Sequence, residues 1–354
     1  MTPLNIDNKL TLGIDVGGSL VKVVLEETDN SSDIIRHPLV TFVRNIASQN
    51  NGEIPSGWKC SVARIPEDAS DTNSTILRAL VLPTADIDLL INKVKHQSCA
   101  TSTVIQIAST GGGALNYKEK LECGLCVRLL VAKELDAVAA GLSVDIGTTS
   151  EEQMLVCNIG TGVSLVSVDK QGKVERVSGS GIGGATFWGL TKRLTNFKSF
   201  DQAVIAAKKN GVLGKTDTLV EDIYGRETSK EIGLAPDLVA GFLGKLDASN
   251  LTDADISAAL LRMFVSNIGQ LAVFQARLLN VEAVWFTGGF VQSVENSKED
   301  SENSAPAIVR QAITEAVSFW SANGIAARFP NNAALLGAIG AIHAASATDF
   351  DMPN

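Results

Sequence analysis

Residues 13–25 read GIDVGGSLVKVVL, and residues 157–168 read CNIGTGVSLVSV. Each stretch is an apolar run, a glycine turn and a second apolar run. β-Branched runs punctuated by glycine predict strand, turn, strand. In the first, Leu10 to Ile14 and Leu20 to Leu25 flank Asp15-Val16-Gly17-Gly18-Ser19. In the second, Met154 to Cys157 and Val163 to Val168 flank Asn158-Ile159-Gly160-Thr161-Gly162. One such hairpin in each half predicts two similarly built α/β units. A polar stretch at 150–153 puts their boundary near residue 150, giving spans 1–150 and 151–354. A chain of 354 residues suits that division, since domains run to about 150 residues each.

Further elements lie outward from the two hairpins. The segment 27–75 is polar, with one expected strand pair, Leu39–Val43 and Cys60–Arg64, around an Asn50-Asn51-Gly52 turn. Val104–Ala108 is a short strand ending in Ser109-Thr110-Gly111-Gly112-Gly113. Leu135, Val138, Ala139 and Leu142 recur at helical spacing, with Glu134 and Asp136 at the helix start. The longest helix is expected over 255–279, where Ile256, Leu260, Leu261, Phe264, Ile268, Leu271 and Phe274 keep the period. Ala283–Phe286 is a strand ending in Thr287-Gly288-Gly289. A polar surface loop is expected at 293–306, and helices at 307–322 and 333–345.

The net charge of −9 argues against nucleic acid or an anionic membrane as partner. Five cysteines, an odd number in a long chain, argue against a disulfide framework. Cys123 and Cys126 form a CxxC without the second pair or histidines that zinc requires. No run of about 18 apolar residues stands out, so a soluble, cytosolic protein is expected.

The chemistry follows from the glycine turns. Without a Cβ, backbone N–H groups can be brought up to phosphate oxygens. Two matched hairpins suit a cleft that clasps a polyphosphate from both sides. Asp15 in such a site suits Mg²⁺, directly or through water. Two other motifs carry less. Gly211-Val-Leu-Gly214-Lys215-Thr216 lacks the leading glycine of a nucleotide P-loop. Gly179-Ser-Gly181-Ile-Gly183-Gly184 fits G-x-G-x-x-G outside any βαβ unit, and reads as a tight substrate-approach turn. Phosphoryl transfer to a hydroxyl needs a carboxylate, for which Asp15, Glu134 and Asp136 are candidates. Glu134 is equally well read as a charge complementing a helix N-terminus. Arg176, before the Gly179 turn, could neutralise transferring charge or be a solvated surface residue. His37, His96 and His343 lie away from the glycine motifs, which disfavours a Ser/His or Cys/His nucleophile.

The chain resembles the eukaryotic-type (type II) pantothenate kinases, of the actin/hexokinase-like (ASKHA) superfamily. The matching stretches, in the family's order, are GIDVGGSLVKVVL (13–25), STGGGA (109–114), KELDAVAAGL (133–142), CNIGTGVSLVSV (157–168), RVSGSGIGGATFWGLTKRLT (176–195), DIYG (222–225), SNIGQLA (266–272), FTGG (286–289) and FWS (319–321). The resemblance implies two ASKHA domains, of RNase H-like and actin-like ATPase type, around a nucleotide cleft. It implies ATP-dependent phosphorylation of pantothenate, with Mg²⁺, as the first step of coenzyme A synthesis. Asp15, Gly17, Gly18, Ser19 and Lys22 would form the first phosphate loop, and Gly160 and Gly162 the second. Glu134 would be the base, and Thr161, Ser164 and Arg176 would hold substrate. Gly288 and Gly289 would lie near the nucleoside. A homodimer using the 255–279 helix, and feedback binding of coenzyme A or its acyl thioesters, are also implied. The segments 238–242, 290–300 and 332–335 depart from the family's pattern. Rival readings are another ASKHA kinase acting on a sugar, or a weakly catalytic coenzyme A- or nucleotide-sensing protein.

Overall fold

The computed structural model describes residues 11–27, 37–48, 54–65, 75–96, 104–147, 153–210, 214–248, 250–291 and 302–347. In chain order the elements are β1 (Leu12–Val16), β2 (Leu20–Glu27), α1 (Pro38–Ser48), β3 (Lys59–Ile65), β4 (Thr75–Pro83), α2 (Ile87–His96), β5 (Ile105–Thr110), α3 (Lys118–Leu125), β6 (Val127–Val131) and α4 (Glu134–Ile146). There follow β7 (Met154–Ile159), β8 (Val163–Val168), β9 (Val174–Ser180), α5 (Gly184–Leu194), α6 (Phe200–Asn210), β10 (Thr218–Leu219), α7 (Val220–Tyr224), α8 (Arg226–Glu231) and β11 (Val239–Gly241). The last are α9 (Asp253–Leu279), β12 (Ala283–Thr287), α10 (Ala305–Ser321), β13 (Ala326–Arg328) and α11 (Leu336–Ala347).

Two sheets carry the fold, and they share one plan. The first runs β3-β4-β2-β1-β5-β6 and the second β13-β12-β7-β8-β9. Setting β3 aside as an added edge strand, each reads third, second, first, fourth, fifth. In each, the opening hairpin and its third strand are antiparallel, while the fourth and fifth strands run parallel to the first. Parallel neighbours need helical crossovers, which α1 to α3 supply in the first half and α9 and α10 in the second. The two halves thus repeat one α/β plan, as the paired hairpins of the sequence lead one to expect.

The equivalence holds residue by residue at the tips. Asp15 pairs Lys22 on β2 and Thr110 on β5. Asn158 pairs Ser164 on β8 and Thr287 on β12. The next residue in each case, Gly111 or Gly288, has positive φ, +94° and +96°.

Leu39–Val43, expected as a strand, lies in α1. The run begins after His37 with a proline, favoured at a helix start. Leu39, Val40, Phe42 and Val43 are all buried, a helical stripe that five residues cannot distinguish from a strand. The strand over Cys60–Arg64 pairs β4 instead, a strand the sequence did not announce. The Asn50–Gly52 turn and most of the 293–306 loop lie outside the described residues.

The second half packs round α9. It is capped by a reciprocal Thr252–Asp255 box and is buried along Leu260, Leu261, Phe264, Ile268, Ala272 and Ala276. Among the described residues it is the one helix long and apolar enough to cross a membrane, yet its apolar positions form the core of this unit. Phe187, Phe264 and Phe290 meet with centroids 4.6–6.0 Å apart in this core.

Helix α4 serves both units. Its Val138, Ala139 and Leu142 pack on β7 and β8. Its opposite stripe, Ala137 and Gly141, packs on α11. A Cβ at Gly141 would strike the Leu336 carbonyl, and one at Gly340 the Ala137 carbonyl, so the crossing is backbone to backbone. The expectation of a single apolar face captured half of this helix. Helix α11, in the second span by sequence, lies against β1, β5 and α4 of the first sheet.

Candidate active site

The site is built where the two first strands end. The carboxylate of Asp15 is 8% exposed and receives the Lys22 ammonium at 2.7 Å. That pairing follows from hairpin register, which sets the two residues opposite each other. Gly111 and Gly337 leave space for the same carboxylate: a Cβ at Gly111 would lie 2.5 Å from Asp15 Oδ1, and one at Gly337 2.9 Å from Oδ2.

Glu134 is the first residue of α4, where the helix dipole favours negative charge. It accepts a hydrogen bond from the Gly112 N–H. Burial, and then the neighbouring Asp15 charge, push its carboxyl above the usual range, while Lys22 and the Gly112 N–H oppose the shift. Asp15, Lys22 and Glu134 thus form one electrostatic cluster with the Gly111-Gly112 turn. Asp136 lies two residues on, about 200° round the helix, and faces away from it. Glu134 thus meets both descriptions, a charge at a helix N-terminus and a carboxyl of raised proton affinity beside Asp15.

The first glycine turn is closed by Gly17 N–H to the Leu20 carbonyl at 2.9 Å. Thr84 clamps it from outside: its hydroxyl donates to the Gly17 carbonyl at 2.9 Å and its N–H to the Ser19 carbonyl at 3.0 Å. Nothing in the sequence near Thr84 signals this. The second turn is closed by Gly160 N–H to the Gly162 carbonyl at 2.9 Å. The two turns touch: Ser19 Oγ and Thr161 Oγ1 are 3.1 Å apart. The two glycine turns face each other, as expected from their sequences.

The G-x-G-x-x-G stretch has a different job. The N–H groups of Gly184 and Ala185, at the start of α5, donate to the carbonyls of Gly160 and Thr161 at 2.9 and 3.2 Å. This helix start therefore holds the second glycine turn. The P-loop-like Lys215 is likewise structural, paired with Asp255 at the start of α9.

Arg176 lies on β9, with its guanidinium folded over Gly179, where no side chain could fit. Gly179 pairs with Ser164, so register puts Ser164 and the Arg176 head group together on one face of the second sheet. A register shift between Leu165 and Val166 brings this about. Arg176 makes no direct contact with the Asp15–Glu134 cluster. Gly288 packs against its own framework, since a Cβ there would meet the Ile159 carbonyl and lie 2.7 Å from Asn158 Oδ1. Gly289 has open space around it. Gly288 N–H donates to the Ala333 carbonyl at 2.9 Å.

For a divalent ion, Asp15 supplies hard oxygen ligands, and among the described residues no group of three or more His, Cys, Asp or Glu forms an all-protein cage. This set fits Mg²⁺, which takes one or two carboxylates and fills its remaining positions with phosphate oxygens and water.

Comparison with known proteins follows the same lines. The chain is 29% identical over 371 residues to Pantothenate kinase 2 of Oryza sativa subsp. japonica, covering 96% of this chain and 39% of that one. It is 28% identical to Pantothenate kinase 1 of Arabidopsis thaliana, covering 96% and 86%. It is also 28% identical to a mouse protein named 4′-phosphopantetheine phosphatase, covering 99% of this chain and 42% of that one. The chain thus spans well under half the length of some curated relatives. Among solved structures, a ROK family glucokinase from Streptomyces griseus with glucose and AMPPNP aligns over 96% of this chain and 100% of that one, at 14% identity and a TM-score of 0.48. The family model described as Fumble matches residues 11–344. The chain belongs to the Fumble family, that of the type II pantothenate kinases.

Proposed function

We propose that this chain transfers the γ-phosphoryl group of ATP to the primary hydroxyl of pantothenate, giving 4′-phosphopantothenate, the first step of coenzyme A synthesis. The observation that carries the reading is Glu134. It is a carboxyl with a raised proton affinity, held at a helix start between Asp15, Lys22 and the Gly112 N–H, in a chain matched by Fumble from 11 to 344. Relatives named pantothenate kinase support it.

In this reading ATP lies between the turns 17–19 and 160–162, with the nucleoside toward Gly288 and Gly289. Glu134 Oε accepts the hydroxyl proton as the oxygen attacks the γ-phosphorus, and the bond from that phosphorus to the β,γ-bridging oxygen breaks to release ADP. A proton affinity nearer neutrality makes the carboxylate a better acceptor. Lys22 and the backbone N–H groups offset charge on the transferring group. Thr161, Ser164 and Arg176 orient the acceptor, Arg176 through its fork of N–H donors. Asp15 would hold Mg²⁺, directly or through water, and the ion would neutralise phosphate charge. Seating ATP requires the Ser19–Thr161 contact to open.

The reading extends to a cytoplasmic homodimer. The exposed Phe274 and Leu278 of α9 and Phe319 of α10, 47%, 74% and 61% accessible, support a partner surface there. Coenzyme A or an acyl thioester is the proposed feedback ligand.

The test is incubation of pure protein with ATP, Mg²⁺ and pantothenate, with detection of 4′-phosphopantothenate by mass, beside Glu134→Gln. Product from the wild type, reduced roughly a hundredfold or more in the variant, is expected. ATP or coenzyme A binding without product would end the pantothenate assignment and favour a sensor or another acceptor.

A further inference from the structure

Asp145 lies 11 residues after Glu134 on α4, close to three full turns, so the two acids share the stripe that faces α11. It is 2% exposed, and no lysine or arginine pairs with it among the described residues. Instead it accepts three N–H groups. Asn331 N–H donates to Oδ2 at 2.7 Å, and Asn332 N–H and Nδ2–H donate to Oδ1 at 3.1 and 2.7 Å. A carboxylate buried this deeply is tolerated only where its oxygens are met by donors. Burial pushes its carboxyl up, against the pull of those donors.

The held loop leads to the active site in two directions. One residue on, the Ala333 carbonyl accepts the Gly288 N–H at 2.9 Å. The Leu335 N–H then closes onto the Asn332 carbonyl at 2.8 Å and starts α11, whose Gly337 backs Asp15.

We propose that Asp145 is a positioning residue for the nucleotide: by fixing Asn331 and Asn332 it sets the Ala333 carbonyl, and through it the turn Thr287-Gly288-Gly289. This rests on the kinase reading, in which that turn lies beside the nucleoside. Helix α4 then carries the acceptor-side carboxylate at one end and a nucleotide-side anchor at the other. The Gly288 turn is also held by Phe290 N–H to the Ile159 carbonyl at 3.3 Å, so loss of Asp145 loosens it without dismantling it.

The test uses full-length Asp145→Asn. The amide turns an acceptor into a donor facing N–H groups, leaving a buried donor unmet. The expected result is a Kd for a non-hydrolysable ATP analogue with Mg²⁺, measured by calorimetry, raised about tenfold. The KM for pantothenate at saturating ATP stays within about twofold, because Ser164 and Arg176 lie on β8 and β9, two and three strands from the β12 tip that Ala333 holds. Asn332→Ala, which keeps the carboxylate and both backbone donors, gives the same split at smaller size. A folded Asp145→Asn with a wild-type nucleotide Kd overturns the proposal, as does a pantothenate KM that rises as much as the nucleotide Kd. If circular dichroism shows Asp145→Asn unfolded, Asn332→Ala decides, and an unchanged nucleotide Kd there overturns it. Nucleotide binding is read without acceptor, so a wild type that binds the analogue and makes no phosphopantothenate counts against the acceptor assignment alone.

Discussion

Gly111 and Gly160 should respond oppositely to a single methyl group. Gly111 has φ +94°, and a Cβ there would lie 2.5 Å from both Asp15 Oδ1 and the Val16 carbonyl. An L-residue pays about 1–2 kcal/mol in the left-handed region, and overpacking adds about 1–3 kcal/mol. Gly111→Ala should therefore lose about 3 kcal/mol of stability. At Gly160 the backbone is ordinary and a Cβ would meet nothing within 4 Å. Gly160→Ala should change stability by no more than about 1 kcal/mol, in the stabilising direction, through loss of unfolded-state freedom. Among the described residues nothing requires glycine at 160, so in the proposed reading the constraint there is the ligand approaching the backbone. A methyl group between that backbone and a phosphate should forfeit about one charge-assisted hydrogen bond, raising the nucleotide Kd roughly ten- to a hundredfold. Urea unfolding gives the first quantity and calorimetry with an ATP analogue the second. A Gly160→Ala protein that binds nucleotide like the wild type would refute the reasoning, as would one that loses as much stability as Gly111→Ala.

Three further outcomes follow from the site. Glu134 must be deprotonated to act as base, so activity falls as pH drops through its raised pKa; Asp15→Asn removes a charge that raises it and should move the acid limb of kcat/KM to lower pH, while Lys22→Met should move it higher. Limbs that stay put in both variants would separate Glu134 from proton transfer. Gly179→Ala should displace the Arg176 head group and raise the pantothenate KM, leaving the nucleotide Kd within about twofold; equal changes in both would place Arg176 elsewhere in the reaction. Phe274→Glu with Leu278→Glu should yield a monomer by sedimentation if α9 forms the dimer, since buried unpaired charge costs several kcal/mol. An unchanged sedimentation coefficient would exclude that face.

The two hairpins and their glycine turns were legible because alternation, glycine and β-branched runs are local properties. So were the long helix and the acidic start of α4. The sequence also exposed the duplication, since DVGGSLVKVVL and NIGTGVSLVSV are of equal length and keep the same pattern. Local signals failed at Leu39–Val43, where five apolar residues fit either a strand or the buried stripe of α1. They were silent on β4, which pairs on both edges in the interior of its sheet.

The remaining features depend on contacts between residues distant in sequence. Which glycines serve a ligand and which serve packing cannot be read from the string Gly-Gly; Gly288 is locked against Asn158 and Ile159, while Gly289 is free. The raised proton affinity of Glu134 comes first from burial in the fold and then from Asp15, 119 positions earlier, folded beside it. Asp145 became an anchor only when the chain returned 187 residues later to supply Asn332. Amino-acid order determined the elements and the residue types at their tips. Tertiary packing alone decided which of those residues stand together, and partial burial and charge proximity are what raise the proton affinity of a carboxylate on a helix.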